Sequence, residues 1–168
     1  MKKSIYKIVF IFFGFIAGIM FSAIALNLSV GNMMVKEFKS PYGFEKTVTV
    51  MTNRINEKDG WHVTEVIDQN HEVSIHGGFP IGNFKIIKYC HGGYSARVLK
   101  PDENKKYGNM MPKTFAVYEK SDGSVYISTM NGAVMGKMFG GEFEKVIEEV
   151  SLEVESMMRF INLKFTLY

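Results

Sequence analysis

One cysteine, followed at once by a histidine and two glycines, is the stretch of this 168-residue chain whose residue types can do chemistry: Cys90-His91-Gly92-Gly93-Tyr94. A thiolate and an imidazole are donors for a transition metal. The thioethers of Met110, Met111, Met130, Met135 and Met138 follow within 29 residues of one another. Thiolate, imidazole and thioether together suit Cu(I) or a haem iron rather than magnesium or calcium. The candidate metal set is therefore Cys90, His91, Met110 and Met111. The candidate ligand-binding set is Cys90, His91, Gly92, Gly93 and Tyr94, because glycines let a ligand approach the backbone closely. The same residues have plainer roles. A lone cysteine at a strand end is commonly a small apolar core residue, and methionines fill irregular gaps in a core. No CxxCH, HExxH or CxxC spacing accompanies the pair.

Two classes of function remain open on these residues. In the first, favoured here, the chain is a non-enzymatic binding or assembly module with a small soft-ligand, copper or haem site at Cys90-His91. In the second it is a thiol-dependent redox enzyme using Cys90. That enzyme needs a base within hydrogen-bond reach, and adjacent residues on a strand point to opposite faces. His91 can serve Cys90 only if the glycine turn rotates it back. Amides at the Gly92-Gly93 turn offer a weaker, anion-binding alternative. His62 lies on the strand face opposite Trp61 and is expected exposed, while His71 and His76 belong to a glycine-rich link. Asp68, after a strand, is an isolated acid and makes no acid/base pair.

The elements that must position these residues follow from periodicity. Met33 to Phe38 is a short strand. Residues 43–58 carry Phe44, Val48, Met51 and Ile55 at helical spacing and form a helix, against the β-branched pull of "TVTVMT". Trp61 to Asp68 alternates as a strand, with Trp61, Val63 and Ile67 inward. The link "HGGFPIGN" leads to a strand from Phe84 to Cys90, and "YSARVL" forms a short helix after it. "TFAVYEK" and "SVYISTM" flank Ser121-Asp122-Gly123 as a hairpin. Phe143, Val146, Ile147, Val150, Val154, Met157, Met158 and Ile161 recur at three and four residues, predicting a carboxyl-terminal helix with an acidic, solvated exterior. The order implies an α+β fold: a two-layer antiparallel sheet with helices on one face.

Charge is unevenly placed. Lys2, Lys3 and Lys7 stand at the amino terminus, and no acidic residue precedes Glu37. Of 20 basic residues, 17 remain beyond residue 30, against 17 acidic ones. The folded part is neutral and carries no basic run, which excludes a nucleic-acid partner. Ile8 to Leu26 is nineteen residues without a charge, about 28 Å as a helix and close to a bilayer's hydrocarbon thickness. The flanking lysines place the amino terminus in the cytoplasm and residues 30–168 outside it. Residues 1–29 are thus read as a transmembrane anchor, the membrane being a partner through residues 8–26. Cleavage after Ala25 is the alternative, since Ala23-Ile24-Ala25 has the small-x-small pattern of a cleavage site.

Taken together, "KSPYGFEKTV", "GWHVTEVID", "KYCHGGYSARVL", "MMPKTFAVYEKSDGSVYISTMN" and "MGKMFGG" resemble the domain of unknown function 302 family, from about Met33 to Arg159. The resemblance implies a small two-layer α+β domain, often self-associating, so that a homodimer is expected, with no agreed activity. Relatives resemble this chain in a strand ending with Cys and His or Asn, matched by Cys90 and His91. They commonly continue with Pro, where Gly92 stands here. They also often carry a second cysteine after a Met-Pro pair, a place held here by Lys113. That departure removes a dithiol or two-cysteine metal site from the implied chemistry.

Overall fold

The computed structural model describes residues 2–165, with the side chains of residues 2–5, 8–9, 23–30, 32 and 162–165 outside the description. Two compact units divide between Met34 and Val35. The first is helix α1, Lys2–Met34. Its described side chains from Phe10 to Phe21 are apolar and unburied, with Phe10 82%, Phe15 68% and Phe21 75% exposed. Among the described residues, no helix is long and apolar enough to cross a membrane. The expected span Ile8–Leu26 has its two ends, 8–9 and 23–26, outside the described side chains.

The second unit is α+β. Five strands form one antiparallel sheet: β1 Val35–Lys39, β2 Trp61–Asp68, β3 Phe84–His91, β4 Lys113–Glu119 and β5 Val125–Met130, in the order β1-β5-β4-β3-β2. One face of the sheet delivers Ile87, Tyr89, Phe115, Val117 and Ile127 to the core, each fully buried. Against it lie the apolar stripes of α2, Phe44–Asn56, and α6, Gly141–Met157. Burying such a stripe removes about 1.5–3 kcal/mol of exposure cost per large side chain, which outweighs the β-preference of "TVTVMT". Met51 and Ile55 are both fully buried at helical spacing, as the sequence requires.

Several features depart from the sequence expectation. The first strand begins at Val35 rather than Met33. In β2, the register shifts between Val63 and Glu65, so Val66 opposes core-facing Ile87 and Ile67 opposes Ile86. An extra residue in a ladder turns every later side chain over, and Ile67 therefore leaves the inward face. The link after β2 opens with helix α3, Gln69–Ile75, capped by Asp68, whose Oδ1 accepts from the His71 amide at 2.9 Å. Asp68 is a cap rather than a catalytic acid. The carboxyl-terminal stripe also tightens into a 3-10 helix, Met158–Phe165, in which Phe160 and Ile161 are still buried.

Candidate functional site: an apolar pocket at the end of the sheet

Register determines what meets at the end of β3. Trp61 pairs with His91 and Tyr89 pairs with Lys113, so these four share the core-facing side of three adjacent strands. The chain then turns into α4, Gly92–Leu99, and a 3-10 helix, Asp102–Met110, before β4 starts at Lys113. After β5, helix α5, Gly132–Phe139, lies along α6. Gly132 and Gly136 make that approach possible. A Cβ at Gly132 would stand 2.3 Å from Ser151 Oγ, and one at Gly136 3.4 Å from Ile147 Cβ. The elements leave a cavity of about 110 Å³ between the strand ends and α6. Val146, Ile147, Val150 and Phe143 form its α6 wall, while Trp61, Tyr89, Cys90, His91, Tyr94 and Ser95 line it from β2, β3 and α4. Met110, Met111, Met130 and Met135 line it too.

Two polar side chains, Tyr89 and Lys113, stand in this apolar space. Tyr89 is fully buried, stacked on Phe115 with centroids 4.6 Å apart, and its hydroxyl makes no hydrogen bond. Thr129 lies near that hydroxyl and opposes, weakly, the burial that pushes the phenol well above its ordinary range. The Thr129 hydroxyl itself donates to the Thr114 carbonyl at 3.1 Å. Lys113 is half-buried, and burial alone pushes its ammonium down to about 8. No carboxylate pairs with it among the described residues. Burying an unpaired polar group costs about 1–3 kcal/mol, so the fold retains the Tyr89 hydroxyl at a penalty.

The wall beside them is well bonded. Glu153 of α6 accepts from Tyr94 Oη at 2.8 Å and from Trp61 Nε1. Burial raises the Glu153 carboxyl, but the bonds from Trp61 and Tyr94, with Lys58 and His91 nearby, outweigh it and hold the group below the usual carboxylate range. Burial, then Glu153, pushes the Tyr94 phenol up. Arg97 bridges α4 to Glu142 and Glu149 at 2.8 and 2.7 Å. The acidic face of α6 is thus partly engaged by its neighbours, rather than solvated throughout.

Cys90, His91, Tyr94, Met110 and Met111 come together at one cavity, and Met130 and Met135 join them. Met138 does not, being 69% exposed on α5. Gly92 and Gly93 are the exposed first residues of α4 and lie off the lining. His62, His71 and His76 are exposed elsewhere. His91 is committed locally: Nδ1 accepts from the Tyr94 amide at 3.2 Å, which caps α4. Its Nε2 lies against Gly60, where a Cβ would come within 2.2 Å. Both ring nitrogens are therefore turned away from a metal, and the amide expected to hold an anion already has its acceptor. Cys90 Sγ lies 3.1 Å from Ser95 Oγ, on the strand face opposite His91.

Among the described residues, no three His, Cys, Asp or Glu side chains converge to hold a metal. The soft donors along the lining are the thioethers of the four methionines, while the Cys90 thiol is turned to Ser95 on the opposite strand face. Haem does not fit: pockets for drug-sized bodies run about 300–1,000 Å³. Lys113 and Tyr89 were not legible as site residues. The only signal was Lys113 standing after Met111-Pro112, where the resemblance leads one to expect cysteine.

The family profile described as "Domain of unknown function DUF302" matches residues 36–161. Among solved structures, a crystal structure of an uncharacterized conserved protein DUF302 from Bacillus stearothermophilus superposes with a TM-score of 0.67. The two are 17% identical, over 77% of this chain and 98% of that one. At that identity the likeness concerns the fold alone. No curated protein matches the chain.

Proposed function

This chain belongs to the DUF302 family, and from that premise we propose that it is a membrane-anchored, extracytoplasmic module that holds a small, largely apolar ligand in the cavity at the end of β3. The family supplies a fold and no activity, so the reading rests on the site. The observation that carries it is the cavity itself. It has apolar walls and two polar side chains, Lys113 and Tyr89, from adjacent strands. Pockets that recognise small molecules have this composition: an apolar lining with a few polar groups to orient the occupant. An occupant with an apolar body and an accepting head would satisfy both. The anchor is supported by the uncharged run Ile8 to Leu26, the preceding lysines and the unburied aromatic surface of α1.

A second reading keeps the cavity and changes the occupant to Cu(I), favoured by the thioethers of Met110, Met111, Met130 and Met135 along one lining. Thiol enzymology is the weaker alternative, since the nearest polar partner of Cys90 is Ser95 and His91 is engaged elsewhere. The melting temperature of the full chain in lipid nanodiscs, measured with butanoate, butan-1-ol and Cu(I), tests the proposal. A saturable rise with at least one probe, lost in the cavity-filling Met135→Trp, is expected. No rise with any, or an equal rise in the variant, would contradict it.

A further inference from the structure

The acidic and basic side chains around the cavity are of one sign. Among the described residues, Lys113 is the only Lys, Arg, Asp or Glu on the lining, and no carboxylate pairs with it. Lys113 is half-buried, so its stem follows the apolar lining while the ammonium points to where the cavity meets solvent. Its Nζ reaches the start of α5, where a Cβ on Gly132 would stand 3.6 Å away. The hydroxyl donors nearby are engaged. Tyr94 donates to Glu153, which lies off the lining, and Thr129 donates to the Thr114 carbonyl. Opposite, Val146, Ile147 and Val150 of α6 offer only hydrocarbon. We propose that the occupant is a short, unbranched aliphatic monocarboxylate, its carboxylate paired with Lys113 at the mouth and its tail laid along the α6 wall. The inference rests on the pocket reading above and names the class of its ligand.

Head and tail each need the other. A lysine–carboxylate pair at a half-exposed site keeps part of its hydration, so it escapes the penalty of a buried ion pair. By the same token the pair alone binds weakly. Each methylene that leaves water for the apolar wall tightens binding by about fourfold. The two halves also set what is refused. A dicarboxylate of similar length would press its second charge, unpaired, against Val146, Ile147 and Val150. An alkylammonium of the same body would meet the like charge of Lys113. Size limits the tail. About 150 Å³ takes a benzene ring, so a cavity of about 110 Å³ admits a chain of about three to four carbons beyond the carboxylate.

Trp61 is the single tryptophan of the chain and lines the cavity, so 5-fluorotryptophan at that position reports occupancy through its fluorine resonance. The full chain, so labelled, is titrated in lipid nanodiscs at pH 7 with butanoate, butan-1-ol, acetate and succinate. Butanoate should shift the resonance saturably, with a Kd at least about tenfold below that of butan-1-ol, which has the same body and no charge. Acetate, which lacks the tail, should bind at least about tenfold more weakly than butanoate. Succinate should not saturate the shift. Lys113→Met should abolish the preference for butanoate over butan-1-ol; if that variant does not fold, the wild-type ranking decides alone. If butan-1-ol saturates the shift and butanoate binds no tighter, or succinate binds as tightly as butanoate, or Lys113→Met keeps the preference, the carboxylate inference fails and the pocket stands. If neither butanoate nor butan-1-ol shifts the resonance saturably, both fail.

Discussion

At the scale of single residues, the site is a contrast between committed and uncommitted groups. Cys90 and His91 draw the eye in the sequence, yet each has found a partner, Ser95 for the thiol and the Tyr94 amide for the imidazole. Lys113 has no carboxylate beside it among the described residues, and it stands on the lining of the cavity. Lys113 also sets a pH dependence with a definite sign. Its folded value, about 8, lies below the 10.5 of a free lysine, so between these two values the unfolded chain binds more protons. Stability must therefore rise as pH increases through that window, and below about pH 8 the full penalty is present. Lys113→Met should accordingly stabilise the chain by up to about 3 kcal/mol at pH 7. The gain should shrink below about 1 kcal/mol at pH 10. Urea unfolding at the two pH values checks this, and a gain independent of pH would show that the amine is solvated.

At the scale of elements, the turn before β2 supports the capping histidine. Gly60 has φ +73°, and a side chain there would enter the His91 ring. Gly60→Ala should cost at least about 2 kcal/mol and displace His91 from the α4 cap. Equilibrium unfolding measures the first and the His91 ring resonances report the second. A neutral Gly60→Ala would mean that the turn does not set the position of His91. The elements differ in how plainly the sequence announced them. Helix α2 was readable because Phe44, Val48, Met51 and Ile55 leave one periodic stripe that burial rewards. The hairpin was readable because Asp122-Gly123 permits little else, Gly123 taking φ +76°. Helix α3 was not, since "QNHEVSI" has no apolar stripe and only Asp68, its cap, marked it. Helix α5 was also missed, because Gly132 and Gly136 are there to admit α6 rather than to favour a helix. The bulge in β2 depends on tertiary pairing and leaves no local trace. For the site, the sequence located the correct end of the correct strand through Cys90, His91 and the methionines. It could not reveal Lys113 or Tyr89, which only the pairing of β3 with β4 brings to the same end of the sheet.

At the scale of the whole molecule, the account joins an apolar amino-terminal helix to a neutral α+β domain with a pocket of its own. The helix predicts that the chain sediments with membranes and resists alkaline carbonate extraction. A tag at Tyr168 should be digested by protease added to intact spheroplasts. Release by carbonate would contradict the anchor, and protection of the tag would contradict export. The central claim, that the cavity at the end of β3 takes a ligand, is tested most directly by methyl-labelling the twelve methionines and titrating the full chain in nanodiscs with butan-1-ol. Met110, Met111, Met130 and Met135 line the cavity, whereas Met51 and Met157 are buried in the core away from that lining. The account predicts saturable shifts confined to the first group and reduced in Met135→Trp. Unchanged methyl resonances at saturating probe, or shifts spread evenly over both groups, would contradict it.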